Sequence, residues 1–238
     1  TTGASNAIWL TAQDLQRNAS AIASRHPDIF GPGRVLLNRF PFMAAPAHLI
    51  QLIAQAGGGV AIPAGNINWD VPFPRALDLA RTTGANVLAA MPLEPVVLGQ
   101  LAIARGLDLA SATSFDTFFL GGAPLPPAFR ARLQRIWGVR VVELYGSTET
   151  MLLGTGCAEG TLHLETDLAY VEILALDSDE PAPEGTVGRL VVTTLAVEGS
   201  PLLRFEIGDL VQQLAPCKCG DPRIAIRVMG RQADTVEL

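Results

Sequence analysis

The first 145 residues alternate short apolar runs with segments of helical periodicity, and this rhythm constrains the fold more than any other feature of the chain. The apolar and β-branched runs predict strands at 34–38, 59–62, 86–89, 117–120 and 140–144. The segments between them predict helices near 12–25, 46–56, 74–83, 93–105 and 126–137. Unbroken apolar strands are typical of a parallel sheet covered by helices on both faces, so the predicted class is α/β.

The rhythm changes after the fifth predicted strand. Short alternating segments such as 170–173 and 188–192 are separated by proline and glycine turns, which predicts a smaller antiparallel β region. The acidic, proline-containing stretch 177–185 fits a solvated hairpin loop between two of these strands. We therefore expect an α/β unit over residues 1–150 and a β-rich, barrel-like unit over residues 151–238.

The composition excludes several classes of function. A chain that is 49% hydrophobic and 17% charged can bury a large core, and a net charge of -6 gives no general attraction to phosphate backbones. No nucleic-acid partner is therefore expected. No apolar stretch approaches the ~20 residues that span a bilayer, and the N-terminus lacks the charged and apolar regions of a signal peptide. We expect a cytoplasmic protein with no membrane partner.

The segment 143–149, Glu-Leu-Tyr-Gly-Ser-Thr-Glu, begins within the fifth predicted strand and runs past its end, where open α/β sheets bind their ligands. An aromatic ring at a strand tip can stack on a base, and the hydroxyls of Ser147 and Thr148 can donate to phosphate. Glu149 offers the oxygen ligand that Mg²⁺ prefers. Taken alone, the segment could equally be a turn with a solvated glutamate.

This segment resembles the Tyr-Gly-x-Thr/Ser-Glu motif of the adenylate-forming superfamily, and further motifs of that superfamily occur in the expected order. Residues 119–125, Phe-Leu-Gly-Gly-Ala-Pro-Leu, are similar to the strand and turn whose backbone lies against the adenine. Residues 203–209 resemble the Arg-Tyr-x-Thr-Gly-Asp segment. Residues 229–234 resemble Gly-Arg-x-Asp-Asp, which leads to the hinge of a small C-terminal lid. The opening Thr-Thr-Gly of residues 1–3 resembles the end of the phosphate-binding loop.

Within the superfamily the chain looks most like phenylacetate-CoA ligases, and it resembles their large N-terminal domain, ending at the hinge to the lid. The resemblance implies that ATP or AMP is bound by Thr1, Thr2, Gly3, Gly122, Ala123, Pro124, Glu143, Tyr145, Gly146, Ser147, Thr148, Asp209 and Arg231. It assigns Thr148 and Glu149 to catalysis, with Glu149 also holding Mg²⁺.

The resemblance implies ATP-dependent activation of a small carboxylic acid, aryl or arylacetic, to an acyl-adenylate, with release of pyrophosphate and then transfer to coenzyme A. Two alternatives stay open: an adenylation domain that serves a carrier protein, and a nucleotide-binding homologue without turnover. The lysine that often follows the phosphate loop is absent, and Ala233 stands where the hinge aspartate is expected, which slightly favours the second alternative. A dinucleotide-dependent oxidoreductase is disfavoured, because no Gly-x-Gly-x-x-Gly follows the first predicted strand. The acid and the oligomeric state are left open, a homodimer being one option.

A second constellation consists of Cys157, His163, Cys217 and Cys219, spaced as Cys-x5-His and Cys-x-Cys. Three thiolates and one imidazole make a complete tetrahedral zinc set, and a closed site with four protein ligands is structural rather than catalytic. The alternative is three reduced thiols in turns and a surface histidine. Because every cysteine of the chain lies in this region, we favour a structural Zn²⁺ site.

Residues 38–43, Asn-Arg-Phe-Pro-Phe-Met, follow a predicted strand and fall where the acyl-pocket wall of the superfamily begins. Their aromatic side chains could form a flat slot for an aryl carboxylate, although at least half of the segment is expected to be core packing. His26 and His48 lie in predicted helices and are expected to be solvated or packed rather than to act as acid–base groups.

Overall fold

The computed structural model describes residues 7–42, 44–65 and 71–234. Its α-helices are α1 (Ala12–Arg25), α2 (Pro27–Phe30), α3 (Ala45–Gly57), α4 (Phe73–Thr83), α5 (Glu94–Ala104), α6 (Leu109–Ala112) and α7 (Pro127–Trp137). Its strands are β1 (Val35–Asn38), β2 (Val60–Pro63), β3 (Val87–Ala90), β4 (Thr117–Leu120), β5 (Arg140–Ser147), β6 (Met151–Gly156), β7 (Leu162–Leu164), β8 (Ala169–Leu174), β9 (Val187–Thr194), β10 (Phe205–Gln213) and β11 (Ala225–Arg231). A short 3-10 turn, Gln232–Asp234, follows β11.

Strands β1 to β5 form the parallel part of the sheet, in the order β2-β1-β3-β4-β5. Side chains alternate between the two faces of a strand, so neighbouring residues such as Phe118 and Phe119 enter different cores. Phe119 packs with Ile22 of α1 on one face, whereas Phe118 packs with Leu77 of α4 on the other. Helices on both faces explain the unbroken apolar runs, and the predicted α/β class is confirmed.

The antiparallel part of the sheet begins on β5 itself. The register of β5 is parallel with β4 as far as Glu143 and antiparallel with β6 from Leu144 onward. The order then continues β6-β7-β11-β10-β9-β8, and a third apolar core lies beneath these strands. The predicted antiparallel region is thus confirmed, and it shares one strand with the parallel region. The division into units 1–150 and 151–238, and the barrel-like form of the second, stay predictions.

The structure corrects one helix start. Pro126 was expected in the first turn of its helix, but it has extended dihedral angles (φ -56°, ψ 145°) and caps α7, while Pro127 takes the first helical position. A residue that precedes proline is disfavoured in the helical region, so the Pro-Pro pair shifts the start by one residue. The strands predicted at 59–62 and 86–89 lie one residue further along, at 60–63 and 87–90. In the described part of the chain, no helix is both long and apolar enough to cross a bilayer.

Candidate functional site

The ends of β4 and β5 come together through a close backbone approach. A Cβ atom built on Gly121 would lie 2.6 Å from Leu144 Cβ and 2.8 Å from Leu144 O, so only glycine fits there. Gly122 follows with φ of +80°, a left-handed conformation that glycine adopts without strain. The predicted Gly-Gly turn therefore lies directly against the strand that carries the 143–149 segment. Ala123 and Pro124 are exposed in the same turn.

The turn between β5 and β6 is equally tight. A Cβ atom on Gly146 would lie 2.0 Å from Met151 O. Ser147 Oγ lies 3.0 Å from Thr150 Oγ1 and accepts from Thr150 N at 3.3 Å, so Ser147 fastens this turn in addition to any contact with a ligand. Thr148 is exposed at its tip, and Glu149 beside it is half-buried.

An apolar cavity of about 240 Å³ opens between these two turns. Gly122, Gly146, Ser147 and Thr148 form its polar rim. Its apolar wall includes Leu15, Phe40, Pro41, Leu49, Met91 and Leu144. The cavity therefore joins the motif residues to helices α1 and α3, and its volume and lining suit a small ligand with an apolar body.

The predicted acyl-pocket segment divides between the cavity and the core. Phe40 and Pro41 line the cavity. Asn38 instead donates to Ala47 O (2.8 Å), and the buried Arg39 pairs with Glu94 (3.0 Å), so both serve the core as expected for part of the segment. Phe42 packs edge-on to His48 at 5.4 Å, and Met43 lies outside the described residues.

Tyr145, Asp209 and Arg231 form a hydrogen-bonded chain on the opposite side of β5. The Tyr145 hydroxyl donates to Asp209 Oδ2 at 2.7 Å, and Arg231 Nε lies 3.0 Å from Asp209 Oδ1. Asp209 and Arg231 also face each other in the β10–β11 register. Burial, together with the Asp209 carboxylate, raises the pKa of Tyr145 well above its ordinary value, so the phenol stays protonated and donates. Three motifs that are far apart in sequence thus converge.

Four predicted site residues remain, of which only Glu143 lies among the described residues. Thr1, Thr2 and Gly3 lie outside the described residues. Glu143 is half-buried, and burial raises its pKa above the usual value, an effect that the nearby Arg130 guanidinium partly offsets.

The two histidines of the predicted helices differ in exposure: His26 is half-buried and packed, whereas His48 is exposed. His26 ends α1 and contacts the Phe119 ring edge-on at 6.2 Å, and His48 Nε2 lies 3.0 Å from Phe42 O. Burial lowers the pKa of His26 to about 4, opposed by Asp28 and reinforced by nearby arginines. His26 is therefore neutral at physiological pH.

Cys157, His163, Cys217 and Cys219 converge on one point, with their ligand atoms all within 4.8 Å of one another. Cys157 Sγ lies 3.8 Å from Cys217 Sγ, and His163 Nε2 lies 3.4 Å from Cys219 Sγ. Zinc–sulfur bonds of about 2.3 Å in a tetrahedron place two sulfur atoms about 3.8 Å apart, so the spacing fits the ion. The same separation is far longer than a disulfide bond.

The backbone around these four residues orients their ligand atoms. Gly160 N donates to Cys157 O (2.9 Å) and Gly220 N donates to Cys217 O (3.2 Å), so each cysteine begins a tight turn. Both glycines have positive φ, which such turns require. His163 Nδ1 lies 3.3 Å from Arg223 O, and a hydrogen bond there directs Nε2 toward the thiols.

The family model of AMP-binding enzymes matches residues 1–198 of the chain. The chain belongs to the AMP-binding enzyme family. Among curated relatives of this AMP-binding enzyme, phenylacetate-coenzyme A ligase of Thermus thermophilus is 29% identical over 245 residues, covering 98% of the chain and 53% of the relative. Phenylacetate-coenzyme A ligase of Aromatoleum evansii is 32% identical over 128 residues, which cover 51% of the chain and 28% of the relative. The chain thus spans about half the length of the Thermus relative. The family resemblance expected from the motifs is confirmed.

Two solved structures share the fold. The open conformation of 2-hydroxyisobutyryl-CoA ligase, in complex with 2-HIB-AMP and CoA, superposes with a TM-score of 0.85 at 20% identity, covering 100% of the chain and 57% of that protein. ATP-bound MatB from Rhodopseudomonas palustris superposes with a TM-score of 0.76 at 20% identity, covering 99% and 47%. Similarity at this level establishes the fold.

Sequence patterns missed part of the cavity of this AMP-binding enzyme. Leu15, Leu49 and Met91 belong to α1, α3 and the segment after β3, and each reads in sequence as an ordinary apolar residue. Periodicity marks such residues as buried but does not tell which of them border empty space. Only the packing of α1 and α3 against the end of β5 identifies them.

Proposed function

We propose that this AMP-binding enzyme activates a carboxylic acid with ATP, releases pyrophosphate and passes the acyl group to coenzyme A. One observation carries the proposal: adjacent residues of β5 serve two different sites. Leu144 lines the apolar cavity, while Tyr145 joins Asp209 and Arg231 on the other side of the strand. An acyl-adenylate has one apolar and one nucleoside half, and this arrangement offers a place for each.

Each of the three hydrogen-bonded residues Tyr145, Asp209 and Arg231 would have a role in binding the nucleotide. Asp209 would accept from the ribose hydroxyls, with Arg231 beside it, while Tyr145 and the turn at Gly122 to Pro124 would contact the adenine. The exposed Thr148 hydroxyl would donate to phosphate, as would Thr1, Thr2 and the Gly3 backbone. Ser147 and Gly146 would shape the turn that presents Thr148.

Glu149 would hold Mg²⁺. A single half-buried carboxylate beside the phosphate-binding turn fits this ion, because Mg²⁺ is usually held by one or two carboxylates together with substrate phosphates. When bound, it neutralises charge that develops on the phosphates.

The acid would occupy the cavity, with its carboxylate toward Thr148 and its apolar body between Phe40, Met91 and Leu144. A lining that is apolar apart from its rim favours an aryl or arylacetic acid over a hydroxylated one, because buried polar groups need partners. The acid is already ionised at neutral pH, so a carboxylate oxygen attacks the α-phosphorus and pyrophosphate leaves without a general base. In the second step the thiol sulfur of coenzyme A attacks the acyl carbon and AMP leaves.

We further propose a structural Zn²⁺ at Cys157, His163, Cys217 and Cys219. Support comes from the thiolate and imidazole donor set, the distances among the ligand atoms and the hydrogen bond that orients His163. Reduced cysteines at such a site agree with a cytoplasmic location. The oligomeric state is open, and a homodimer is one arrangement to test. Metal analysis of purified protein tests the ion, and zinc well below one equivalent would remove this site.

Two alternative functions are each supported by a specific consideration. A carrier protein could replace coenzyme A as the acceptor, because both present a thiol. A nucleotide-binding homologue without turnover is favoured by Ala233, which lies in the exposed 3-10 turn where the resemblance expects the hinge aspartate.

Pyrophosphate exchange tests the function. The complete protein is incubated with ATP, labelled pyrophosphate and a panel of aryl, arylacetic, hydroxy and straight-chain acids. Exchange that depends on an aryl acid supports the proposal, and thioester formation on adding coenzyme A supports the second step. AMP binding without exchange for any acid supports the homologue without turnover. Absence of both exchange and AMP binding refutes the nucleotide site.

A further inference from the structure

The shortest ladder of the sheet lies between β7 and β11. Only two residue pairs join these strands, Ala225 with His163 and Ile226 with Leu162, whereas β9 and β8 are joined by six. This ladder connects strands β5 to β7 with the four strands β8 to β11. It is also the only ladder in the described part of the sheet that links these two groups.

The four metal-ligating residues straddle this ladder. Cys157 and His163 come from the end of β6 and from β7, on one side. Cys217 and Cys219 come from the β10–β11 turn, on the other side. A metal bound by all four would therefore join the two groups of strands at the place where backbone pairing is weakest.

The same hairpin carries the nucleotide residues at its other end. Asp209 lies four residues before the end of β10, about 13 Å along the strand from Gln213, and it faces Arg231 in the register. Two register shifts interrupt β10 near Asp209: the shift toward β9 lies between Glu206 and Leu210, and the shift toward β11 lies between Leu210 and Val211. The position of the Asp209 carboxylate relative to Tyr145 on β5 therefore depends on how the hairpin is held against β7.

Other contacts across the ladder would preserve the fold without the metal. Arg223 pairs with the buried Glu165 (2.5 Å), and Glu165 also accepts from Thr155 (2.8 Å). The third apolar core includes Leu164 from one side and Ile226 from the other. Metal loss is thus expected to loosen the hairpin rather than to unfold the protein.

We propose that the Cys157–His163–Cys217–Cys219 site positions the nucleotide-binding pair Asp209 and Arg231, by clamping the β10–β11 hairpin to β7. The inference rests on the proposed nucleotide role of this pair. The four ligands are positioning residues, because the metal site lies at the turn end of the hairpin. Asp209 and Arg231 lie near the other end of the hairpin. Their effect is on nucleotide affinity and on hairpin mobility, and the acid cavity on the other side of β5 is unaffected.

The experiment compares the complete zinc-loaded protein with Cys157→Ser and with Lys218→Ala, a matched control whose exposed side chain lies between two ligands and offers no thiol. Zinc content is measured first, then amide hydrogen exchange in β10 and β11, then AMP binding by calorimetry. In Cys157→Ser we expect loss of zinc, faster exchange around Leu210 and Val211, and AMP affinity about tenfold weaker, the loss of about one well-placed charged hydrogen bond. Lys218→Ala should match the parent protein in all three measurements.

The outcomes separate the two proposals. Unchanged exchange in β10 and β11 after zinc loss, or a parent protein that contains no zinc, overturns the clamp. A third outcome is that the zinc-loaded parent binds no AMP, while hydrogen exchange in β10 and β11 is still faster after zinc loss. This result would refute the nucleotide site and leave the clamp as a structural device. Global unfolding of Cys157→Ser, seen as fast exchange in β3 and β4 as well, overturns the claim that the metal acts locally.

Discussion

Asp209 is the residue on which the proposed nucleotide site depends most, because both of its carboxylate oxygens already have a partner. Tyr145 donates to one and Arg231 lies beside the other, so the carboxylate is held in a fixed orientation at the surface of the sheet. A charged acceptor that is oriented in advance binds a diol more tightly than a mobile one, since less entropy is lost on binding.

Replacing Asp209 by asparagine tests this assignment with little change in shape. We expect AMP affinity to fall about tenfold or more, because charge-assisted hydrogen bonds contribute about 1.5–3 kcal/mol each. The concentration of acid needed for half-maximal exchange should stay the same, since the cavity lies across β5. Asp78→Asn, which removes an exposed ion pair with Arg105, is the control. Equal AMP affinity in Asp209→Asn and the parent would contradict the assignment.

His26 predicts a pH dependence of stability. Its pKa is lowered to about 4 in the folded protein, against about 6.5 in the unfolded chain, so between these values the unfolded state binds more protons. Stability therefore falls as pH drops from about 6.5 to 4, by about 3 kcal/mol at most. His26→Gln should flatten this part of the profile in urea titrations. A profile that is identical in His26→Gln and the parent would show that another group is responsible.

Among the elements, α1 shows how a local sequence signal is extended by tertiary contacts. Thr11 and Asp14 form a capping box at its start, with Thr11 N donating to Asp14 at 2.8 Å and Asp14 N donating to Thr11 at 3.0 Å. Asp14 also accepts from Glu198 N and Gly199 N, which lie before β10. Burial raises the Asp14 pKa, but these backbone donors outweigh it and lower the pKa overall. The start of α1 thus anchors a distant loop.

The two halves of the capping box should therefore differ in their contribution to stability. Thr11→Ala removes one cap and is expected to cost about 1 kcal/mol. Asp14→Ala leaves three backbone donors without their acceptor and should cost about 2 kcal/mol or more. Thr82→Ala, an exposed helical threonine of α4, should stay within about 0.5 kcal/mol of the parent. Urea denaturation ranks the three variants, and equal losses for Thr11→Ala and Asp14→Ala would exclude the anchoring role.

The elements were predictable where periodicity was strong. Strands β1 to β4 and the five longer helices lie within one residue of their predicted positions, and β5 runs three residues past its predicted end at 144. The four-residue helices α2 and α6 were not expected. Strand β6, Met-Leu-Leu-Gly-Thr-Gly, was missed because a short run with two glycines has no clear period. Its pairing with β5 decides its structure, and such pairing is not encoded locally.

For the whole molecule, the candidate site was predictable in its members but not in its geometry. Motif order identified Tyr145, Asp209 and Arg231, and the structure brings them together. That Leu144 lines the cavity while Tyr145 lies on the other side of β5 follows from strand alternation only once the end of β5 is known. The role of Ser147 in fastening its own turn could not be seen in a motif that lists it simply as a hydroxyl.

Because both groups of strands contribute residues to the proposed nucleotide site, a nucleotide bound there should stabilise the molecule as a whole. AMP at about 100 times its dissociation constant should raise the free energy of unfolding by about 2.7 kcal/mol. Thermal denaturation with and without AMP measures the effect, and a tenfold loss of affinity in Asp209→Asn should remove about half of it at the same AMP concentration. Stabilisation that persists undiminished in Asp209→Asn would place the nucleotide elsewhere.

The alternation along β5 has an evolutionary consequence. In the proposed assignment, one substitution at Leu144, or at Phe40 in the same cavity, would alter the space offered to the acid while Tyr145 keeps its contact with Asp209. The preferred acid could therefore change through single substitutions, each of which leaves nucleotide binding intact. Related proteins that keep this strand could gain specificity for new acids without first losing the ability to bind ATP.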